Sequence, residues 1–65
     1  MPRMILTDFH SLQPLIVEFE PGAKVAVSEC FDYSTCVIIY SNGAEQTFFV
    51  VESKFHVEEL WRIAQ

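Results

Sequence analysis

Cysteine and histidine are the residue types in this 65-residue chain best suited to metal binding or catalysis, and there are two of each. They are Cys30, Cys36, His10 and His56. A zinc site needs four ligands in a tetrahedron, and the ligands of each pair usually lie close in sequence. Here five residues separate the cysteines, and the histidines lie 46 positions apart. The spacing does not favour a metal site, and we expect no cofactor.

The cysteines nevertheless leave one alternative open. A three-residue loop at 32–34 would set Cys30 directly opposite Cys36 on neighbouring strands. Two adjacent thiols can bind a metal or oxidise, whereas a single cysteine in a strand often serves as a small apolar residue. A thiol- or zinc-dependent small protein that uses Cys30 and Cys36 is therefore one alternative interpretation of the chain.

Catalysis by a cysteine–histidine pair would need the base within about 3 Å of the thiol and a third group to orient it. No sequence motif brings such groups together. His56 falls in the first turn of a predicted helix, where the helix dipole disfavours a positive imidazole. A chain this short also has little room for a substrate pocket of ~300 Å³. We therefore expect that the protein is not an enzyme.

The elements that position these residues are mainly strands, and the clearest is a hairpin around Asn42-Gly43. Asn and Gly tolerate the positive φ that both central residues of a type I′ turn require. Residues whose numbers sum to 85 then face each other, which sets Val37 opposite Phe48. A sheet with one face in water normally alternates apolar and polar residues, but this hairpin is apolar on both faces. The pattern predicts a second covered surface and hence a partner.

The remaining segments predict further strands and one helix. Alternating apolar residues indicate strands at 15–20 and 24–31, joined by a turn at Pro21-Gly22, with a weaker strand at 4–9. Ser53 is a suitable N-cap, and the apolar residues after it follow the spacing of one helical face. The sequence thus predicts a single domain, residues 1–65, of the α+β class. We expect a small antiparallel β-meander of three or four strands with one C-terminal α-helix packed on one face.

The predicted helix can cover only one face of the sheet, and the periodicity does not say which. We predict that Val37, Phe48, Val50 and Trp61 lie beneath the helix. The opposite face would then form an interface, with an exposed aromatic residue in the preceding turn. The predicted interface residues are Ile38, Tyr40, Thr47, Phe49 and Tyr33.

Composition narrows the classes of partner. The chain is 51% hydrophobic, and its net charge of −5 comes from nine carboxylates against four scattered Lys and Arg residues. Proteins that bind nucleic acid directly use clustered cations, so we expect no direct nucleic-acid contact. No apolar run approaches the ~20 residues that span a bilayer, and no secretory signal is visible. The sequence therefore predicts no membrane contact and a cytoplasmic location with free thiols.

Part of the chain resembles a known family. Asn42-Gly43, the segment Phe49-Val50-Val51-Glu52-Ser53 and the segment Val57-Glu58-Glu59-Leu60 resemble the C-terminal half of FlbD-type small flagellar proteins. The likeness covers about half of the chain. The hairpin has two extra residues between Gly43 and Glu52, and the proline that usually precedes the third strand of that family is missing. The resemblance implies a small cytosolic accessory protein without catalytic residues.

Taken together, these observations predict a small acidic, non-enzymatic protein–protein interaction or assembly module of bacterial or phage origin. We expect it to act as a homodimer, against another protein, or both. A second alternative is a phage-type inhibitor of a host defence protein or nucleic-acid enzyme, because small size and acidity suit that class.

Overall fold

Five antiparallel strands followed by one helix make up the computed structural model, which describes residues 1–65. The elements are β1 (Arg3–Thr7), β2 (Pro14–Glu18), β3 (Lys24–Glu29), β4 (Thr35–Ser41), β5 (Ala44–Val50) and α1 (Lys54–Ala64). β1 and β2 form a two-stranded hairpin, and β3, β4 and β5 form a three-stranded meander in that order. The predicted α+β class, with an antiparallel meander and a C-terminal helix, is confirmed. The 11-residue helix is too short to cross a membrane.

The hairpin of β4 and β5 forms as the sequence predicts. Asn42 and Gly43 have φ angles of 52° and 78°, the positive values of a type I′ turn. Val37 lies opposite Phe48, and the remaining pairs also sum to 85. The turn residues therefore determine the register of the whole hairpin.

The strand predicted at 15–20 forms, but it does not belong to one continuous meander as expected. β2 pairs with β1, with Ile5 opposite Ile16, and not with β3. The Pro21-Gly22 turn does form, and Gly22 adopts a φ of 90°. However, that turn leads the chain from one sheet to the other. Alternation identifies a strand but not its neighbour, and β1, the weakest prediction, supplies the backbone partners of β2.

One apolar cluster fills the space between the inner face of the meander, the β1–β2 hairpin and α1. Phe19 from the end of the hairpin stacks on Trp61 of the helix, with ring centroids 4.1 Å apart. The prediction that Val37, Val50 and Trp61 share the covered side is confirmed, and Phe48 packs partly buried against them. The buried members are Met4, Leu6, Val17, Phe19, Val37, Ile39, Val50, Val57 and Trp61. The β1–β2 hairpin and the helix therefore cover the inner face of the meander together.

The two sheets are joined where β1 ends beside the end of β5. The Val51 N–H donates to the Thr7 carbonyl at 2.9 Å, and the Phe9 N–H donates to the Phe49 carbonyl at 2.9 Å. These backbone bonds continue the pairing of β5 beyond the meander. They hold the β1–β2 hairpin against the inner face.

A side-chain clamp strengthens the same junction. The Thr7 N–H and hydroxyl donate to the two carboxylate oxygens of Glu52, each at 2.9 Å. Glu52 directly precedes Ser53, whose Oγ accepts from the His56 N–H at 3.2 Å, as expected of an N-cap. The Thr7–Glu52 clamp therefore fixes the hairpin relative to the start of α1.

Removing the clamp should destabilise the domain. We expect Glu52→Ala to lower the free energy of unfolding by about 1–3 kcal/mol, because a half-buried donor pair on Thr7 loses its acceptors. The measurement is urea denaturation followed by Trp61 fluorescence. Glu58→Ala is the matched control, since Glu58 is exposed and should change stability by less than about 0.5 kcal/mol. Equal losses in the two variants would contradict a structural role for the clamp.

Candidate functional site

The face of the meander that points away from the core, called the outer face below, carries the predicted interface residues. Side chains alternate between the two faces of a strand. Val37 and Ile39 of β4 are buried, so Cys36, Ile38 and Tyr40 project from the outer face. This alternation decides the question that the sequence left open, namely which face is covered.

The strand register arranges the outer face as three rows of three residues. The first row is Lys24, Tyr40 and Glu45, the middle row is Ala26, Ile38 and Thr47, and the last row is Ser28, Cys36 and Phe49. Neighbouring strands lie about 4.8 Å apart, so side chains within a row are in reach of each other. The outer face is therefore apolar along β4, and its two charged residues stand at opposite ends of the first row.

Several apolar side chains of this face remain accessible. Tyr40 and Phe49 are 43% and 41% exposed, and Ile38 is half-buried although no element of the chain packs over it. Thr47 is exposed between them. The structure thus brings Ile38, Tyr40, Thr47 and Phe49 together on one surface. Their role in contact with a partner stays a prediction.

His10 belongs to this surface, which the sequence did not indicate. Its ring lies edge-on to Phe49, with centroids 6.5 Å apart, and edge-on to Phe9 at 5.6 Å. The loop that carries both residues follows β1, where the Phe9 N–H bonds to Phe49. Contacts between residues 39 positions apart leave no local signal in the sequence. The His10 ring packs on one side of Phe49, which therefore loses less freedom on contact with a partner.

The turn between β3 and β4 presents two further aromatic residues. Phe31 is fully exposed and Tyr33 is 93% exposed. Tyr33 has a φ of 69°, in the left-handed region that a bulky side chain adopts only at a cost. The exposure of Tyr33 agrees with the prediction from its turn position. Phe31 was predicted to belong to a strand, but it lies beyond the end of β3.

A carboxylate caps the same turn. The Asp32 side chain accepts hydrogen bonds from the Ser34 hydroxyl and from the Ser34 N–H, the latter at 3.0 Å. These two bonds lower the pKa of the Asp32 carboxyl below its ordinary value of 3.8. The hydrogen bonds hold the turn, and Tyr33 with it, in one conformation.

The expectation that Cys30 lies directly opposite Cys36 is wrong. Ser28 pairs with Cys36, and the Cys30 N–H donates to the Ser34 carbonyl at 2.9 Å. The loop therefore comprises residues 31–33, one position earlier than predicted, and the register shifts by two. Tyr33 makes this loop possible by adopting a positive φ. Both cysteines are free thiols, and no three His, Cys, Asp or Glu side chains form a cluster able to hold a metal ion.

A shallow cleft of about 580 Å³, larger than the pocket for which the sequence predicted little room, opens at the end of the meander nearest the first row. It lies between the Pro21-Gly22 turn and the Asn42-Gly43 turn. The Asn42 side-chain amide donates to the Glu20 carboxylate at 2.6 Å and links the two turns. The cleft therefore lies where the first row of the outer face, with Lys24 and Glu45, borders these two turns.

One edge of β5 has free backbone groups. The Phe49 carbonyl points away from β4, because it accepts from Phe9. Backbone direction repeats every second residue, so the N–H and C=O groups of Glu45 and Thr47 also point away from β4. Pairing of β5 with the β1 end is confined to its last residues. The first part of β5 is therefore an open sheet edge.

Replacing Tyr33 by glycine should relieve the backbone strain in this turn. We expect Tyr33→Gly to raise the free energy of unfolding by about 0.5–1 kcal/mol, because glycine adopts the observed φ without strain. Phe31→Gly, at an equally exposed residue without a positive φ, should give no such gain. Thermal unfolding of the two variants measures the difference. A loss of stability in Tyr33→Gly would show that the Tyr33 side chain supports the fold.

The capped turn should respond to acid. A depressed pKa means that the Asp32 carboxylate contributes stability above about pH 3.8, and that this contribution is lost as the pH falls through the folded-state pKa. We expect an NMR titration of the Asp32 carboxyl carbon to give a pKa below 3.8, and Ser34→Ala to raise it. Ser28→Ala, on the outer face, is the control and should leave it unchanged. An unshifted pKa in Ser34→Ala would contradict the hydrogen-bond cause.

Comparison with known proteins identifies no match for this chain. No protein-family model matches the chain, and neither a curated protein nor a solved structure matches it at a significant level. The resemblance to FlbD-type proteins accordingly stays a prediction. The outer face is the candidate functional site on the strength of its own geometry.

Proposed function

We propose that this chain is a small, non-enzymatic protein–protein interaction or assembly module that binds through its outer face, acts as a homodimer and resides in the cytosol. The observation that supports the proposal is the uncovered apolar surface of Ile38, Tyr40 and Phe49 on the meander. Single apolar residues on a surface are ordinary, whereas a contiguous group of them marks an interaction site.

The residue types of this surface suit an interface. Aromatic side chains are enriched at interfaces, because they bury much area with little loss of side-chain entropy. Tyr40 and Phe49 are anchored on adjacent strands, and the His10 ring restricts Phe49 further. Tyr33 and Phe31 would extend the contact beyond the last row. A surface that is already ordered in the free chain gives up less entropy when it binds.

The size of the chain gives a physical reason for association. A domain of about 60 residues buries only ~60% of the surface of its unfolded chain and has a small margin of stability. No disulfide or metal cluster reinforces this one. Dimerisation would cover the outer face and stabilise the folded state by mass action. The accessory role implied by the FlbD resemblance, and a bacterial or phage origin, are compatible with such a module.

Polar replacement on the outer face should weaken association. We expect Phe49→Ser to raise the dissociation constant of the dimer by about tenfold or more, because the variant loses an aromatic contact in each copy. The measurement is molar mass by light scattering during size-exclusion chromatography, across a wide range of loading concentrations. Phe55→Ser is the matched control, since Phe55 is exposed on the helix, away from this face.

Three results would contradict the proposal. Unfolding of Phe49→Ser by circular dichroism would assign Phe49 to the core, and Tyr40→Ser then tests the same face at a more peripheral residue. Unchanged association in both variants would show that the outer face is not the binding surface. Equal weakening by Phe55→Ser would place the contact on the helix.

A further inference from the structure

We infer that the outer face binds a second copy of this chain face to face. The two copies are related by a two-fold axis that runs parallel to β4, midway between the two sheets, and is called the axis along β4 below. This inference rests on the proposed function, which already assigns a homodimer to the outer face, and adds the geometry of the contact. The strand register arranges the outer face in the three rows on which the contact depends. Two sheets that pack face to face keep their strands roughly aligned, so an axis along β4 is a regular geometry.

Rotation about this axis lays β4 on the partner's β4 and β3 on the partner's β5. Each row then meets the same row of the partner in reverse order. In the first row, Lys24 comes to lie against the partner's Glu45, and Glu45 against the partner's Lys24. Both residues are exposed, and neither has an ion-pair partner within its own chain, where Arg62 and Glu59 form the only ion pair. The symmetry thus gives each free charge an opposite charge.

The other two rows match in size. In the last row, the large Phe49 side chain lies over the partner's small Ser28. In the middle row, Ala26 lies under the partner's Thr47, and Ile38 meets the partner's Ile38 on the axis. Alternating large and small residues across facing positions allow two layers to interdigitate. Opposite charges in the first row and large-on-small pairs at the ends of the other rows therefore meet about the same axis, on which each β4 residue faces its own counterpart.

The other in-plane two-fold axis, perpendicular to the strands, lacks this complementarity. It would lay the first row on the last row, with Lys24 over the partner's Ser28 and Glu45 over the partner's Phe49. A carboxylate buried against an aromatic ring without a partner is costly. Pairing through the open edge of β5 would not involve Lys24, which lies on β3 at the far side of the meander. Of these three geometries, only the axis along β4 places Lys24 of one copy against Glu45 of the other.

Charge reversal tests this contact. In Lys24→Glu the new carboxylate meets the partner's Glu45, and in Glu45→Lys two cations meet, so each variant alone should dimerise about tenfold more weakly than the parent. A 1:1 mixture of the two variants restores an opposite-charge pair at both positions of the heterodimer. The double variant restores both pairs in the homodimer. We expect parent-like association in the mixture and in the double variant.

The variants should leave the fold intact, because both positions are exposed and lie two strands apart within one chain. Lys54→Glu and Glu58→Lys are the matched controls, since they change the net charge equally at exposed positions on the helix. Analytical ultracentrifugation of each variant and of each mixture, from about 1 µM to 1 mM, measures the dissociation constants. Parent-like association of the controls would exclude a net-charge effect and support the inference.

The outcomes separate this inference from the proposed function. If the parent dimerises and Phe49→Ser weakens the dimer, but the mixture gives no rescue, the axis is wrong and the outer face remains the interface. If the parent is monomeric up to about 1 mM, this inference and the homodimer of the proposed function both fail, and the outer face is left for a foreign protein. Rescue in both the mixture and the double variant is the result that only the axis along β4 predicts.

Discussion

The junction of β1 and β5 determines which surface of this small chain is covered. Thr7 binds Glu52 through its N–H and hydroxyl and accepts from the Val51 N–H, so one residue connects the hairpin to the segment that leads into the helix. With β1 held there, the apolar side of the hairpin lies against the inner face of the meander. The helix, which starts two residues after Glu52, then completes the same side. The helix and the hairpin thus both lie on the inner side of the meander, and His10 touches the outer face at Phe49.

This arrangement also explains how an 11-residue helix persists. Isolated helices of that length are marginal in water, and most helical stability in proteins comes from packing of an apolar face. Val57 and Trp61 supply that face, and Trp61 stacks on Phe19 at the end of the hairpin. The helix, the hairpin and the meander therefore depend on one shared cluster. A substitution that disturbs the packing of any of the three elements should therefore destabilise the other two.

Local signals in the sequence predicted much of this fold. Asn42-Gly43 fixed a turn type, and the turn fixed every pair between β4 and β5. Ser53 and the apolar spacing after it predicted the helix and its start. The same alternation placed Ile38 and Phe49 on one face. These features depend on residues that are neighbours in the chain, so a single sequence is enough to find them.

Features that depend on distant residues were not predictable. The pairing of β2 with β1, the Thr7–Glu52 clamp across 45 positions and the packing of His10 on Phe49 have no local pattern. The register at Cys30 failed for a different reason. It depends on a positive φ at Tyr33, and tyrosine is not a residue from which such a turn is expected. The prediction that the strand residues of the candidate site share one face was thus correct, the neighbouring loop was missed, and the role of these residues in binding stays a prediction.

The open edge of β5 has a consequence for the size of any assembly. A face-to-face contact about one two-fold axis closes after two copies, and so would strand addition at the β5 edge if it occurred alone. Used together on one chain, two different two-fold contacts generate an unlimited ribbon. Glu45 lies on both surfaces, with its side chain on the outer face and its backbone at the free edge. A charged residue at an open edge discourages strand addition, so Glu45 would keep the assembly finite.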